Sequence, residues 1–405
     1  MTQKYDLQSA AYHADPWPTL NRMLADGPVI ESRMPLIGKI WWVTGHDAVQ
    51  EFLKSQDKFV SDPRNIGKKN MFGVPWLPRT YRILMENILM LDDPRHRRLR
   101  KFVDAPFRMG WIDQYRPTIE IITDRLLDEM EQKGEKDIAG NFARELPLEV
   151  ICEILGLEGD REMFKSWMAE MTNTMSVWTI VTMVPRLKNI ITYMQGEIDR
   201  VRAAPGPGLL SEMVHAEADG EQMSDEELLS MVVILFIAGH ETTVHLICMA
   251  LHSFISHPEQ LEILRSDYAL MPQAVEEVMR YATPVQATKP RMARQDMEFH
   301  GRQLKKGDRC MAVLATANID GSVFDDPLAF NIRREDKARH VGFGGGIHLC
   351  LGIHLARAEA QIALERMFRR WENIRFAVPE SELDWHKRLG LRGFKALPLE
   401  WDVVG

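Results

Sequence analysis

The sequence predicts a mainly α-helical protein with minor β-sheets, an α+β fold in a single compact domain. From residue 93 to about residue 270, apolar residues recur with helical spacing, and the breaks fall at proline and glycine. Strand-like segments are confined to the two ends of the chain. No Ser/Gly-rich linker, low-complexity tract or repeat divides the 405 residues, so we expect one domain although the length would allow two.

The chain is organised in three parts. Residues 1–92 mix short helices and strands, residues 93–283 form a helix-rich core, and residues 284–405 return to a mixture. Strands or hairpins are predicted where β-branched and aromatic residues lie between turn residues. These segments are residues 29–31, 40–44, 299–302, 309–313, 374–376 and 396–399.

The longest helix is predicted to begin after Ser224, because Glu227 three residues on completes a capping box. It ends before Pro258, which cannot continue a helix. Its most apolar run, residues 231–238, is too short to span a bilayer. Because the N-terminus is also polar, we expect no signal peptide, no membrane anchor and a cytoplasmic protein.

Composition argues against several classes of function. A net charge of -8 does not favour nucleic acid as a partner. The four cysteines, Cys152, Cys248, Cys310 and Cys350, are scattered without a CxxC pair, so neither a disulfide framework nor a zinc knuckle is expected. This use of cysteine is typical of a reducing cytoplasm.

A glycine-rich loop near the C-terminus carries the strongest chemical signal. Residues 343–352 are Phe-Gly-Gly-Gly-Ile-His-Leu-Cys-Leu-Gly, and a helical pattern follows at once. Glycine allows a positive φ and close approach of the backbone to a ligand. The helix N-terminus after Cys350 favours an anionic sulfur. A lone cysteine is more often a buried residue in a turn, so the interpretation depends on the whole string.

That string resembles the haem-binding loop of the cytochrome P450 family, and the resemblance extends over essentially the whole chain. It implies the family's fold around a buried haem b, with Cys350 as the axial thiolate that favours O–O cleavage. Phe343, Gly344 and Gly352 belong to the same loop. The soluble bacterial type of the family is the expected one.

The centre of the longest helix carries a second motif, Ala-Gly-His-Glu-Thr-Thr at residues 238–243. The resemblance implies that Gly239 opens a groove for dioxygen, that Thr242 hydrogen-bonds it, and that Glu241 relays protons. A simple kink in a buried helix is the alternative. His240 and His245 nearly match the zinc motif H-E-x-x-H, but they are five residues apart and point to different faces of the helix.

A third motif, Glu277-x-x-Arg280, resembles the family's structural Glu–Arg pair. The family usually adds an arginine from the segment before the haem loop, which has none beside Phe330. We assign this third member to Arg333, with Arg334 as the alternative.

Cationic and polar residues in the family's order are predicted to bind the haem propionates, since buried carboxylates need charge-assisted partners. His96 and Arg100 share a helix face, and Arg291 and His348 follow later in the chain. Each alone could be a solvated surface residue. Further basic residues are predicted to form a patch that docks an acidic electron donor such as a ferredoxin, unless they are only a solvated helix face. They are Arg95, Arg97, Arg98, Lys101, Arg108, Lys337 and Arg339.

The resemblance places the substrate pocket among mostly apolar segments, namely residues 72–88, 171–184, 233–238, 285–288 and 389–393. The residues predicted to line it are Val233, Ile237, Ala238, Val285 and Leu391. A lipophilic substrate such as a steroid, terpenoid or fatty acyl compound would suit such walls.

The implied function is a monooxygenase that uses O2 and electrons from NAD(P)H, delivered by a separate reductase and ferredoxin. The chain is too short for a flavin or iron–sulfur domain of its own, and we expect a monomer. The alternative is a haem-thiolate binding or sensing protein without turnover, which the Glu241–Thr242 pair does not favour.

Overall fold

The computed structural model describes residues 5–34, 38–68, 79–159, 161–172, 184–217 and 220–404. These residues form one mainly helical domain with small sheets, as the sequence predicts. The helices are α1 Ala10–Ala14, α2 Trp17–Asp26, α3 His46–Lys54, α4 Arg79–Met85, α5 Arg95–Val103, α6 Met109–Ile112, α7 Arg116–Lys133, α8 Glu145–Leu155, α9 Arg161–Thr172, α10 Val184–Ala203, α11 Leu209–His215, α12 Asp225–Ser256, α13 Pro258–Ser266, α14 Met271–Tyr281, α15 Leu314–Asn318 and α16 Ile353–Arg370.

The strands form three sheets in the described part of the chain. Five of them pair in the order β1-β2-β7-β4-β3, and the hairpins β5-β6 and β8-β9 stand apart. Among the strands of the described residues, only β2 and β7 pair in parallel, and this pairing joins the N-terminal and C-terminal parts of the chain in one sheet. The strands are β1 Val29–Met34, β2 Gly38–Val43, β3 Phe59–Val60, β4 Arg291–Ala293, β5 Met297–Phe299, β6 Arg302–Leu304, β7 Arg309–Ala312, β8 Trp371–Phe376 and β9 Leu399–Val403.

Alternation along β2 explains why the larger sheet is buried on both faces. Trp41 and Val43 pack into one hydrophobic cluster, whereas Ile40 and Trp42 pack into another. Successive side chains of a strand point to opposite faces, so one strand supplies both clusters. Each predicted strand therefore has a counterpart in the structure. The last one was expected at residues 396–399, but β9 begins only at Leu399.

The central helix α12 is the main support of the site. The Ser224 side chain accepts from the Glu227 N–H, and the Glu227 carboxylate accepts from the Ser224 N–H, so the predicted capping box is present. The helix continues through Gly239 without interruption. Its most apolar window has a mean hydropathy of 1.7, enough by composition to cross a membrane, but 67% of that window is buried inside the protein. A core helix has this property.

Candidate haem-thiolate site

The cysteine loop is held by backbone geometry. The Cys350 N–H donates to the Phe343 carbonyl at 3.0 Å, which closes the loop on itself. Gly344 and Gly346 have φ values of 74° and 64°, in the left-handed region that favours glycine. A Cβ at Gly346 would lie 2.2 Å from the Leu53 carbonyl oxygen. The loop thus packs directly on the end of α3, and only glycine fits there.

Opposing effects act on the Cys350 thiol. Burial raises the pKa of its thiol, while the Gly352 N–H and the charges of Arg100 and Arg357 act in the opposite direction. Gly352 is the N-cap of α16, so the sulfur lies at a helix N-terminus as predicted. Coordination to a metal ion deprotonates such a thiol outright.

Two cavities meet at Cys350, with volumes of about 350 and 150 Å³. The larger is lined by the cysteine loop and the segment before β4, and the smaller by α5 and α12. Cys350 and Thr242 both line the two cavities. The residues common to both walls are Leu89, Ala238, Thr242, His348, Cys350 and Ala356.

Two residues that line this space have a buried polar atom without a hydrogen-bond partner among the described residues. Arg291 donates to the carbonyl oxygens of Phe52 at 2.6 Å and Ser55 at 3.2 Å, but its buried Nε bonds to no described group. The buried His348 Nδ1 is unpaired as well. The His96 ring lies 4.8 Å from the His348 ring, and Arg100 lines the smaller cavity. All four predicted propionate ligands therefore border the cavities.

Lys289 joins this group although the sequence analysis did not single it out. It lines the larger cavity, and burial lowers its pKa to about 7 and that of Arg291 to about 10. The nearby Asp92 already accepts from the backbone N–H groups of Ser61 and Asp62. The wall thus carries an excess of cationic groups, which fits the two carboxylates of a haem. Its position two residues before Arg291 is the one feature of the sequence that could have indicated a role for Lys289 at this site.

The α12 face at the site is shaped by small residues. A Cβ at Gly239 would meet only Ile151, at the ordinary distance of 3.6 Å. Protein packing therefore does not demand glycine there, and the missing side chain leaves space in the smaller cavity. The Thr242 hydroxyl donates to the Ala238 carbonyl at 2.9 Å while its side chain borders both cavities.

Glu241 is not among the residues that line the two cavities. Its carboxylate forms an ion pair with Arg388, 147 residues further along the chain. Burial raises the pKa of Glu241, and the Arg388 guanidinium partly offsets that rise. The sequence did not indicate Arg388, because no local pattern links it to Glu241, which is so far away in the chain.

The third member of the Glu–Arg network is Arg334, so the assignment to Arg333 was wrong. Arg280 donates to both carboxylate oxygens of Glu277, and the Arg334 Nε donates to one of them at 3.3 Å. The Arg334 side chain is 5% exposed, whereas Arg333 faces solvent. Arg280 also donates to the carbonyls of Pro327 and Ala329, which fixes the segment that precedes the cysteine loop.

The predicted pocket residues are only partly on the cavity walls. Ala238 and Val285 line the larger cavity. On α12, Ile234 and Leu235 line the smaller one, in place of the expected Val233 and Ile237. The helix turns Val233 into the core, where it is 1% exposed. Leu391 lies behind the wall in a β-bridge with Val285. Residues 72–78 and 173–183 of the expected pocket lie outside the described residues.

The predicted basic patch is partly neutralised. Arg97 pairs with Asp93, and Arg98 with Glu221 and Glu227, so Arg98 serves to connect α5 to the start of α12. Arg100 pairs with Asp104. Arg95, Arg108 and Arg339 are exposed, and the side chain of Lys337 lies outside the described residues.

Comparison with known proteins agrees with this site. The chain matches the cytochrome P450 family over residues 37–206 and 207–384. It is 37% identical over 394 residues to cytochrome P450 monooxygenase PikC of Streptomyces venezuelae, covering 96% of this chain and 92% of that protein. It is 32% identical to 6-deoxyerythronolide B hydroxylase of Saccharopolyspora erythraea, covering 99% and 100%. The structure of the polyketide synthase cytochrome P450 PksS of Bacillus subtilis superposes with a TM-score of 0.90 at 32% identity, covering 98% and 99%.

The chain therefore belongs to the cytochrome P450 family, and it is a P450 monooxygenase of the bacterial type. Its cofactor is haem b, and its electrons come from external redox partners. These comparisons support the enzyme rather than the non-catalytic sensor that the sequence left open as an alternative.

Proposed function

We propose that this protein hydroxylates, or otherwise oxidises, a lipophilic small molecule of polyketide or fatty acyl type. The apolar part of the wall of the larger cavity carries the proposal. Apart from the cationic groups assigned to the haem, this wall is formed mostly by leucine, methionine, valine and alanine side chains, which suits an apolar ligand. The name of the polyketide synthase cytochrome P450 PksS supports a substrate of polyketide type.

The residues of the site divide the work of the reaction O2 + RH + 2e⁻ + 2H⁺ → ROH + H2O. Cys350 would hold the haem iron, and Arg291, His348, His96 and Arg100 its propionates. When bound, the haem supplies the redox chemistry that activates dioxygen. The Thr242 hydroxyl borders both cavities, and on turning from the Ala238 carbonyl it would donate a hydrogen bond into this space and orient dioxygen for protonation. Glu241 replenishes that proton from outside the cavity.

We further propose that electrons arrive from NAD(P)H through a reductase and a ferredoxin in the cytoplasm, where the protein acts as a monomer. Helix α5 contacts the cysteine loop, because Arg100 donates to the Leu349 carbonyl at 3.1 Å, and Arg95, Arg97 and Lys101 of that helix are exposed. Arg97 is paired with Asp93, and Arg108 and Arg339 are exposed as well. On a chain of net charge -8, such a patch would steer an acidic donor to this face.

Substitution of Thr242 tests the proposal. With partners and a substrate present, Thr242→Ala should still consume NAD(P)H and O2, but peroxide release should rise and product per NAD(P)H should fall. A proton-transfer group contributes about a hundredfold or more, and loss of the hydroxyl that orients dioxygen should approach that effect.

The matched control for Thr242→Ala is Thr243→Ala. Thr243 makes the same kind of back-bond, to the Gly239 carbonyl at 3.1 Å, but it is only 3% exposed and borders the smaller cavity alone. Thr243→Ala should remain coupled. Equal coupling in wild type and Thr242→Ala would contradict the role of this hydroxyl.

A further inference from the structure

Two adjacent acidic residues of α14 have different partners. Glu277 belongs to the buried Glu–Arg network, but successive helix residues are about 100° apart around the axis, so Glu276 faces another neighbour. Its carboxylate accepts two hydrogen bonds of 2.6 Å from Arg357 of α16, one from Nε and one from Nη2. This is the bidentate geometry in which arginine and carboxylate pair most strongly. The pair joins α14 to the helix that begins beside the cysteine loop.

His340 completes this group. Its Nδ1 accepts from the Gly342 N–H at 3.0 Å, so the ring is neutral and its proton is on Nε2, which lies 3.1 Å from Glu276 and donates to it. A Cβ at Gly342 would lie 2.9 Å from the Met279 carbonyl oxygen and 3.2 Å from His340 Nδ1, so the ring is closely packed against the backbone. We call Glu276, His340 and Arg357 the Glu276 triad.

The triad keeps Glu276 ionised. Burial acts to raise the pKa of Glu276, but the hydrogen bonds from His340 and Arg357 outweigh it and lower the pKa to about 2. The carboxylate therefore keeps its negative charge at any physiological pH, and it offsets the positive charge of Arg357 at contact distance.

Arg357 lies between this carboxylate and the cysteine loop. Its guanidinium carbon is 5.0 Å from the centroid of the Phe343 ring, a cation–π contact. The carbonyl of Phe343 in turn accepts from the Cys350 N–H at 3.0 Å. Burial raises the pKa of the Cys350 thiol, and the charge of Arg357 is one of the effects that act to lower it. The thiolate form of Cys350 is therefore stabilised by Arg357.

We propose that Arg357, held against Phe343 by Glu276 and His340, sets the reduction potential of the haem iron. Arg357 is then a positioning residue, because it acts through the Cys350 thiolate. Reduction adds an electron to the iron and its ligand, so a nearby positive charge favours the reduced state, and the negative charge of Glu276 opposes that effect. The proposal rests on the proposed role of Cys350 as the axial ligand.

The first test compares Arg357→Met with Arg357→Lys by spectroelectrochemical titration of the substrate-free holoenzyme. Arg357 follows Cys350 by seven residues, about 10 Å along a helix. Loss of a charge at that distance should lower the equilibrium constant for one-electron reduction on the order of tenfold, which is about 59 mV toward negative potential. Lysine cannot form the bidentate pair but keeps the charge, so Arg357→Lys should restore most of the wild-type potential.

The second test is Glu276→Gln, measured in the same way. Glutamine has nearly the same shape and still accepts a hydrogen bond from Arg357, but it no longer opposes the charge of the guanidinium. The potential should shift toward positive values, by less than the shift in Arg357→Met, because Glu276 lies behind Arg357 as seen from the loop. A purely structural role does not produce opposite signs, since both variants then loosen the same contact.

The matched control is Arg366→Met on the same helix. Arg366 pairs with Glu120 at 2.9 Å and with Asp124 at 3.7 Å, and it lies nine residues further from the cysteine loop than Arg357. Removal of this charge should leave the reduction potential at the wild-type value. A shift as large as that of Arg357→Met would mean that the overall charge of the protein, and not the triad, sets the potential.

The potentials and the ferrous–CO spectrum separate this proposal from the proposed function. Equal potentials in wild type and Arg357→Met, or shifts of the same sign in Arg357→Met and Glu276→Gln, would overturn the role of the triad alone. If Arg357→Met retains no haem, the Glu276→Gln shift decides, and a zero or negative shift overturns the proposal. A wild-type protein without the long-wavelength ferrous–CO band would overturn the role of Cys350 and this proposal with it.

Discussion

The two sides of the site are built in different ways. The loop side, residues 343–352, is formed by consecutive residues whose backbone is fixed by glycines and by contact with Leu53. The helix side, residues 238–245, depends on partners from distant segments, Arg388 and His386 among them. The loop side therefore leaves a continuous signal in the sequence, whereas the helix side is assembled only when the chain folds.

The first prediction has the largest expected effect. It concerns stability and the Glu277–Arg280–Arg334 network, which supports the loop side. Arg334→Met should leave the buried Glu277 carboxylate without one of its two arginines. Removing one partner of a buried ion pair costs about 3–5 kcal/mol. The free energy of unfolding, from denaturant titration of the haem-loaded protein, should fall by an amount in that range.

Arg333→Met is the matched control for Arg334→Met, because Arg333 is the adjacent residue and its side chain faces solvent. A surface substitution of this kind changes stability by less than about 0.5 kcal/mol. Equal losses in the two variants would mean that Arg334 does not support Glu277.

The second prediction tests whether the cysteine loop needs the backbone conformation of Gly346 to hold haem. Gly346→Ala puts a Cβ on a residue with φ of 64° and 2.2 Å from the Leu53 carbonyl. The left-handed conformation alone costs about 1–2 kcal/mol for a residue with a Cβ, and the clash adds to this. The loop should shift, so haem content after purification should drop and the long-wavelength ferrous–CO band should weaken.

Gly321→Ala serves as control for Gly346→Ala, because no atom lies within 4 Å of its added Cβ and its φ is not in the left-handed region. It should retain haem as wild type does. Full haem content with an unchanged CO band in Gly346→Ala would show that the loop tolerates the displacement.

The same contrast explains how far the sequence could predict this protein. The capping box at Ser224 and the cysteine loop each consist of residues that are close together in the chain. The sequence alone therefore predicted both, and the fold class with them. Arg333 and Arg334 are adjacent and of the same residue type. Only the folded structure shows which of the two side chains faces Glu277. Val233 and Ile237 were expected on the cavity wall from the resemblance to the family, yet the helix rotation presents Ile234 and Leu235. Arg388 and Lys289 acquire their roles only through tertiary contacts.

The third prediction, with the smallest effect, concerns the buried histidines of the helix side. Burial lowers the pKa of His240 to about 4, and its Nε2–H donates to the Arg144 carbonyl at 2.8 Å. In the unfolded chain a histidine has a pKa of about 6.5. Between these values the unfolded chain binds a proton that the folded protein does not. His240 therefore lowers stability as pH falls below about 6.5, by about 1.4 kcal/mol for each pH unit.

His240→Asn should make the free energy of unfolding less dependent on pH, by about one proton between pH 6 and pH 5. Denaturant titrations at pH 7, 6 and 5 give this slope directly. Ser253→Ala on the same helix is the control, because it removes a buried hydrogen bond to the Met249 carbonyl but no titrating group. It should lower stability equally at all three pH values. An unchanged slope in His240→Asn would mean that the folded protein already protonates this ring, and that the helix side is wetter than its burial indicates.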